Sequence, residues 1–144
     1  MKINNKSYKT IWFNHKKECV EIIDQTRLPH SLNIVELKNL DDVIRAIKIM
    51  QVRGAPLIGG TAAFGVVMAM KRDPSNENLR ETSKELMSAR PTAVNLRSAV
   101  LAMNEKLKDL NDDDRYEAAI VAAEGFCKKD EDCCRQIGMY GKKI

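Results

Sequence analysis

"VRGAPLIGGTAAFGVVMAM", residues 52–70, decides how the chain is read. From Leu57 to Met70 the residues are apolar nearly all round, which is the pattern of a buried helix rather than a surface one. Pro56 suits the first turn, where its missing N–H costs nothing. Gly59, Gly60 and Gly65 lower helix propensity. They are expected where another backbone or a ligand comes close. Arg53 and Gly54 stand immediately before this helix.

The same periodicity continues on both sides. "NLDDVIRAIKIM" places Val43, Ala46, Ile47 and Met50 at helical spacing, with Asn39 and Asp42 set like a capping pair. "DPSNENLRETSKELMSA" is an amphipathic helix that should stop near Ala89, because Pro91 disfavours helical geometry at Arg90. Thr92 is then expected to cap a helix whose stripe is Leu96, Val100, Met103, Leu107 and Leu110. "NDDD" (111–114) reads as a solvated helix start. A last long helix from Arg115 carries Tyr116, Ile120, Ala123, Cys127, Cys134 and Ile137. Upstream, "YKTIWF", "CVEIID" and "NIVEL" are short, β-branched or aromatic, and split by polar connections, as strands of a small antiparallel sheet are. The expected fold is therefore α+β: a three-stranded N-terminal sheet (1–38) followed by about five helices (39–144) of the same domain. Strands and helices do not alternate, so no parallel nucleotide-binding sheet is expected in this chain.

Bulk properties exclude several classes. The 144 residues suit one domain. Net charge is +4, but the cations are dispersed and only 5% of residues are aromatic, so no nucleic-acid partner is expected. The longest apolar run contains three glycines and a threonine and is too short to span a bilayer. "MKINNKSYKT" has no apolar signal core, which points to the cytoplasm. Cys19, Cys127, Cys133 and Cys134 fit no zinc spacing, so neither metal nor cofactor is expected. They read as free thiols.

Two places could carry chemistry. Arg53-Gly54-Ala55-Pro56 and Arg90-Pro91-Thr92 each set a guanidinium beside the free N–H groups of a helix start. That pairing suits phosphate, since the N–H donors and helix dipole attract an anion and arginine offers a bidentate fork. Two ordinary loop-to-helix turns with surface arginines would look the same. Vicinal Cys133-Cys134 has no activating histidine near it in sequence. His15 and His30 read as exposed loop residues, and Asp24 as a turn-forming carboxylate.

"IIDQTRLPHSLNIVEL", "VRGAPLIGGTAAFG", "ARPTAVNL" and "IGMYG" follow one another over nearly the whole chain. Together they resemble the methylthioribose-1-phosphate isomerases, relatives of the initiation factor 2B regulatory subunits and of ribose-1,5-bisphosphate isomerases. "DQT.LP" is a signature of the methylthioribose branch. The resemblance implies that Arg53, Gly54, Ala55 and Arg90 bind a sugar-phosphate substrate in methionine salvage. It also implies that the catalytic cysteine and aspartate belong to a Rossmann-like C-terminal domain, through a "THCN"-like motif absent from these residues. No catalytic residue is therefore assigned. The chain is expected to be inactive alone, and open to self-association or to docking on such a catalytic domain. An interaction module of the initiation factor 2B type is the other expectation. Leu57, where the family usually has alanine, and Ser98, near a common tryptophan, depart from the pattern.

Overall fold

A computed structural model describes residues 2–3 and 6–142. Its centre is the helix expected from residues 52–70. This α2 (Ala55–Arg72) buries every residue from Ile58 to Met70. A helix apolar on all sides needs neighbours on all sides. α1 (Leu40–Lys48), α3 (Asn76–Ala89), α4 (Val94–Leu107), α5 (Asp112–Gly141) and one sheet all pack on it.

That sheet contains β3 (Ile11–Asn14), β4 (Cys19–Ile23) and β5 (Ile34–Leu37), antiparallel in that order. Phe13 lies opposite Val20, and Ile11 opposite Ile22. All four are buried in the core, and the Phe13 and Phe64 rings stack with centroids 6.3 Å apart. The sheet also has a charged side. Glu21 lies directly opposite both Trp12 and Glu36. Two facing carboxylates repel. Lys17 Nζ lies between them, 2.9 Å from Glu21 and 2.7 Å from Glu36, while the Trp12 indole donates to Glu21 at 2.6 Å. Strands β1 (Lys2–Ile3) and β2 (Lys6–Ser7) form a separate antiparallel pair that the sequence pattern did not reveal. Two residues each are too few for alternation to register.

Four details differ from expectation, the simplest being that α4 ends at Leu107, which leaves Leu110 in the turn beyond it. α1 ends at Lys48, and Met50 turns left-handed at φ 61° instead of continuing the stripe. Met50 N–H donates to Ile47 and Gln51 N–H to Ala46, the paired bonds of a Schellman ending. Met50 is consequently 43% exposed, while Gln51 is carried inward and buried. Thr92 does not cap α4. Residues Arg90–Ala93 form a turn closed by Ala93 N–H to Arg90 carbonyl, with Pro91 at its second position. The cap residue is Ala93. On α5, Cys134 and Ile137 leave the core stripe, for no residue from Lys128 to Gly141 is buried.

Helix directions follow from specific contacts. Buried Arg115 donates to the carbonyls of Leu107 and Lys108 at the end of α4 and to the Pro74 carbonyl just beyond α2. At the other end, a Cβ on Gly59 of α2 would stand 3.0 Å from the Asn95 carbonyl of α4. So α2 and α4 run parallel and begin together. α5 runs the opposite way and passes Gly59 with Phe126 and Gly60 with Cys127. Its C-terminal part therefore runs towards and past that end: Lys129, Asp130 and Cys133 still flank Pro56 and Asn95, and no residue from 128 to 141 is buried.

Candidate functional site

The end of the bundle where α2 and α4 begin is organised by two loops. Asp24, at the exit of β4, is buried. One carboxylate oxygen accepts from the Thr26 N–H (2.9 Å) and hydroxyl (2.6 Å). The other accepts from the Gln51 amide at 3.0 Å. Gln25 N–H donates to the Gln51 carbonyl at 2.9 Å, and Arg53 Nη2 donates to the Gln25 carbonyl at 3.0 Å. The Asp24-Gln25-Thr26 loop is thus clasped to the segment that leads into α2. Burial pushes the Asp24 carboxyl up, but the Thr26 and Gln51 hydrogen bonds, aided by the nearby Arg27 charge, leave it below its ordinary value. Asp24 does form the turn expected of it, and its further task is to fix Gln51. Gln51 itself went unnoticed in the sequence. Its one signal is a polar side chain directly before an apolar residue at a helix exit.

Gly54 is the cap residue of α2 at φ 96°, ψ 134°, a backbone state that side-chain-bearing residues rarely adopt. Ala55 opens the helix, exposed like Arg53 and Gly54. Arg90 closes α3 and is half-buried. The structure brings the two arginine-led helix starts to one end of the bundle through the Gly59–Asn95 approach.

These two starts differ from the other three. α1 has Asp41 and Asp42 in its first turn and an Asn39 side-chain cap. α3 has Glu77 and a Ser75 cap, and α5 has three aspartates. α2 and α4 have neither an acidic residue in the first turn nor a side-chain cap. Neither a side-chain cap nor an acidic first turn therefore offsets the positive end of the helix dipole at these two starts. One Arg53 donor is used on Gln25, and guanidinium has five. Among the described residues the Arg90 side chain has no hydrogen bond or ion pair.

A groove of about 520 Å³ opens between α4 and α5 from Pro56 and Asn95, with Met103 and Phe126 among its lining and Lys106 and Lys129 on its walls. The thiols are poorly placed for nucleophilic work. Cys19 is buried, and burial together with Glu131 and Asp130 pushes Cys127 up to about 11. Cys133 and Cys134 are exposed on the C-terminal half of α5. His15 and His30 are exposed, as expected of loop residues, and His15 Nε2 lies 3.1 Å from Glu124 Oε1. Among the described residues no three His, Cys, Asp or Glu side chains gather as a metal site requires, and no helix is long and apolar enough to cross a membrane.

Comparison with known proteins adds to this geometry. Residues 51–144 match the initiation factor 2 subunit family. Over its whole length the chain is 46% identical to a methylthioribose-1-phosphate isomerase of Sinorhizobium medicae. It spans 40% of that relative, which is about two and a half times as long. Among solved structures it is similar to 5-methylthioribose 1-phosphate isomerase from Pyrococcus horikoshii, with TM-score 0.85 and 28% identity over 96% of this chain and 41% of that one. It is also similar to the delta subunit of initiation factor eIF-2B from A. fulgidus, with TM-score 0.78 and 30% identity over 86% and 38%.

Proposed function

The chain belongs to the initiation factor 2 subunit family, and from that premise we propose that it holds the phosphate of methylthioribose-1-phosphate for an aldose–ketose isomerase. The observation that carries this is the pair of arginine-led helix starts, uncapped and free of acidic residues, set side by side. Arg53 and Arg90 supply the guanidinium groups. Gly54 and Ala55 let the phosphate approach the backbone. Residues 1–38 and 39–144 act as one N-terminal domain, in the cytoplasm and in methionine salvage.

The reaction opens the sugar and moves hydrogen between C2 and C1, which calls for an acid–base pair in a shielded pocket. This chain has no such pair at the helix starts. We therefore assign it binding without turnover, with the acid and base on a further catalytic domain docked over the same end. The test is calorimetric titration of methylthioribose-1-phosphate into the 144-residue chain, with Arg53→Ala and Arg90→Ala beside it and a coupled isomerase assay on the same sample. Binding in roughly the millimolar range, weakened about tenfold or more by either substitution, is expected. Affinity unchanged by both substitutions, or ordinary isomerase turnover, sinks the reading. Ribose-1,5-bisphosphate in place of the first ligand separates the related isomerase activity.

The likeness to the initiation factor 2B delta subunit favours a second reading, an interaction module. It expects no heat with either sugar phosphate.

A further inference from the structure

We propose that Asp24 and Gln51 are positioning residues of the anion site: neither touches the anion, and the hydrogen bond between them holds Arg53 ready for it. The inference rests on the phosphate-binding reading above. Arg53 is exposed. An exposed arginine samples many rotamers, and freezing one on binding weakens affinity by up to about tenfold unless the rotamer is chosen beforehand.

Here one rotamer is already chosen. Arg53 Nη2 donates to the Gln25 carbonyl at 3.0 Å, and that carbonyl is itself held. Gln25 N–H donates to the Gln51 carbonyl at 2.9 Å, and the Gln51 amide donates to the Asp24 carboxylate at 3.0 Å. One backbone bond and one side-chain bond thus join residues 24–25 to Gln51. Asp24 is anchored from behind, since its N–H donates to the Asn33 carbonyl at 2.9 Å and its carboxylate closes on Thr26. The loop carbonyl that Arg53 uses is therefore fixed relative to the start of α2.

Stability alone does not account for Gln51. Its side chain is 8% exposed, and among the described residues its Oε1 has no hydrogen-bond partner. A buried amide satisfied on one side only is costly. Local costs of this kind concentrate where a site requires them.

NMR titration of methylthioribose-1-phosphate into the 144-residue chain, following the Gly54 amide, tests this, with circular dichroism to show that each variant is folded. Gln51→Met should weaken binding about fivefold when Arg53 is present and less than about twofold in an Arg53→Ala background. Asp24→Leu should match Gln51→Met. Asp24→Asn should restore most of that loss, because it still accepts from Thr26 and can offer its amide to Gln51 Oε1. Without ligand, the heteronuclear NOE of Arg53 Nε–H should show an ordered side chain in the parent and a mobile one in Gln51→Met. Binding unchanged by Arg53→Ala overturns the phosphate reading and this inference together. Binding that depends on Arg53 but not on Gln51, losses from Arg53→Ala and Gln51→Met that simply add, no rescue by Asp24→Asn, or an Arg53 side chain equally ordered in both chains overturns this inference alone.

Discussion

The Gln51 amide donates to the Asp24 carboxylate at 3.0 Å across 27 residues of sequence, and both side chains are buried. This bond joins the exit of β4 to the approach of α2, so it sets where Arg53 stands. Replacing Asp24 with alanine leaves Gln51 and Thr26 donors unmatched in the interior. The expected cost is about 2 kcal/mol in urea unfolding at pH 7. The folded carboxyl lies below its unfolded value, so its contribution is present above that unfolded value and disappears as pH falls through the folded one. The difference between Asp24→Ala and the parent should therefore shrink steadily below about pH 4.

Gly54 and Gly59 should resist alanine for opposite reasons. At Gly54 there is room for a Cβ, but φ is 96°. At Gly59 the Cβ would press on the Asn95 carbonyl at 3.0 Å and the Phe126 ring at 3.3 Å. Each substitution is expected to lower stability by about 1–2 kcal/mol in denaturant titration. D-alanine introduced by chemical synthesis separates them, rescuing position 54 and not position 59.

Lys17→Met should give a pH-dependent loss. Lys17 holds the Glu21 carboxyl below its usual range, chiefly by direct hydrogen bonding, and does the same to Glu36. That stabilisation exists above the unfolded carboxylate values and is lost as the two groups take up protons on acidification. Thermal midpoints of parent and variant should differ most near pH 7 and converge towards about pH 3. A constant gap across that range would show that the lysine acts through packing alone.

Arg115 is only 2% exposed and donates to three backbone carbonyls, to Asn76 and to Asp112. Arg115→Met leaves the end of α4 and the α2–α3 connection without donors. A loss of about 3 kcal/mol in urea unfolding is expected. Arg115→Lys should recover little of it, because one ammonium cannot span acceptors spread over that fork.

Much of this architecture is legible in the chain. The all-round apolar run from Leu57 to Met70, the Asn39 cap and the stop before Pro91 all reappear in the structure, because each depends on residues a few positions apart. Asn39 accepts from Asp42 N–H at 2.8 Å, although the Asp42 carboxylate returns to Lys38 N–H rather than to its own cap residue. Thr92 and Met50 were misread for a common reason. Each lies where the chain changes direction, and turn closure there competes with helix periodicity over one or two residues. The overhang of α5 was also unreadable, since Cys134 and Ile137 keep the helical rhythm of the buried stripe after the bundle beneath them has ended.

The candidate site divides in the same way. Arg53 and Arg90 could be picked out as guanidinium groups at helix starts, since that pattern is local. The sequence could not say that the two starts meet. That depends on α2 and α4 running parallel and on Gly59 allowing the Asn95 backbone to approach. Nor could it show that Asp24 reaches Gln51. So the sequence by itself determined the elements, the central helix and the residue types able to hold an anion, because helical period, caps and prolines act over a turn or two. Only tertiary packing decided which helix starts stand together and which face of α5 is left outside. Those outcomes depend on contacts between residues tens of positions apart, and no short-range pattern records them.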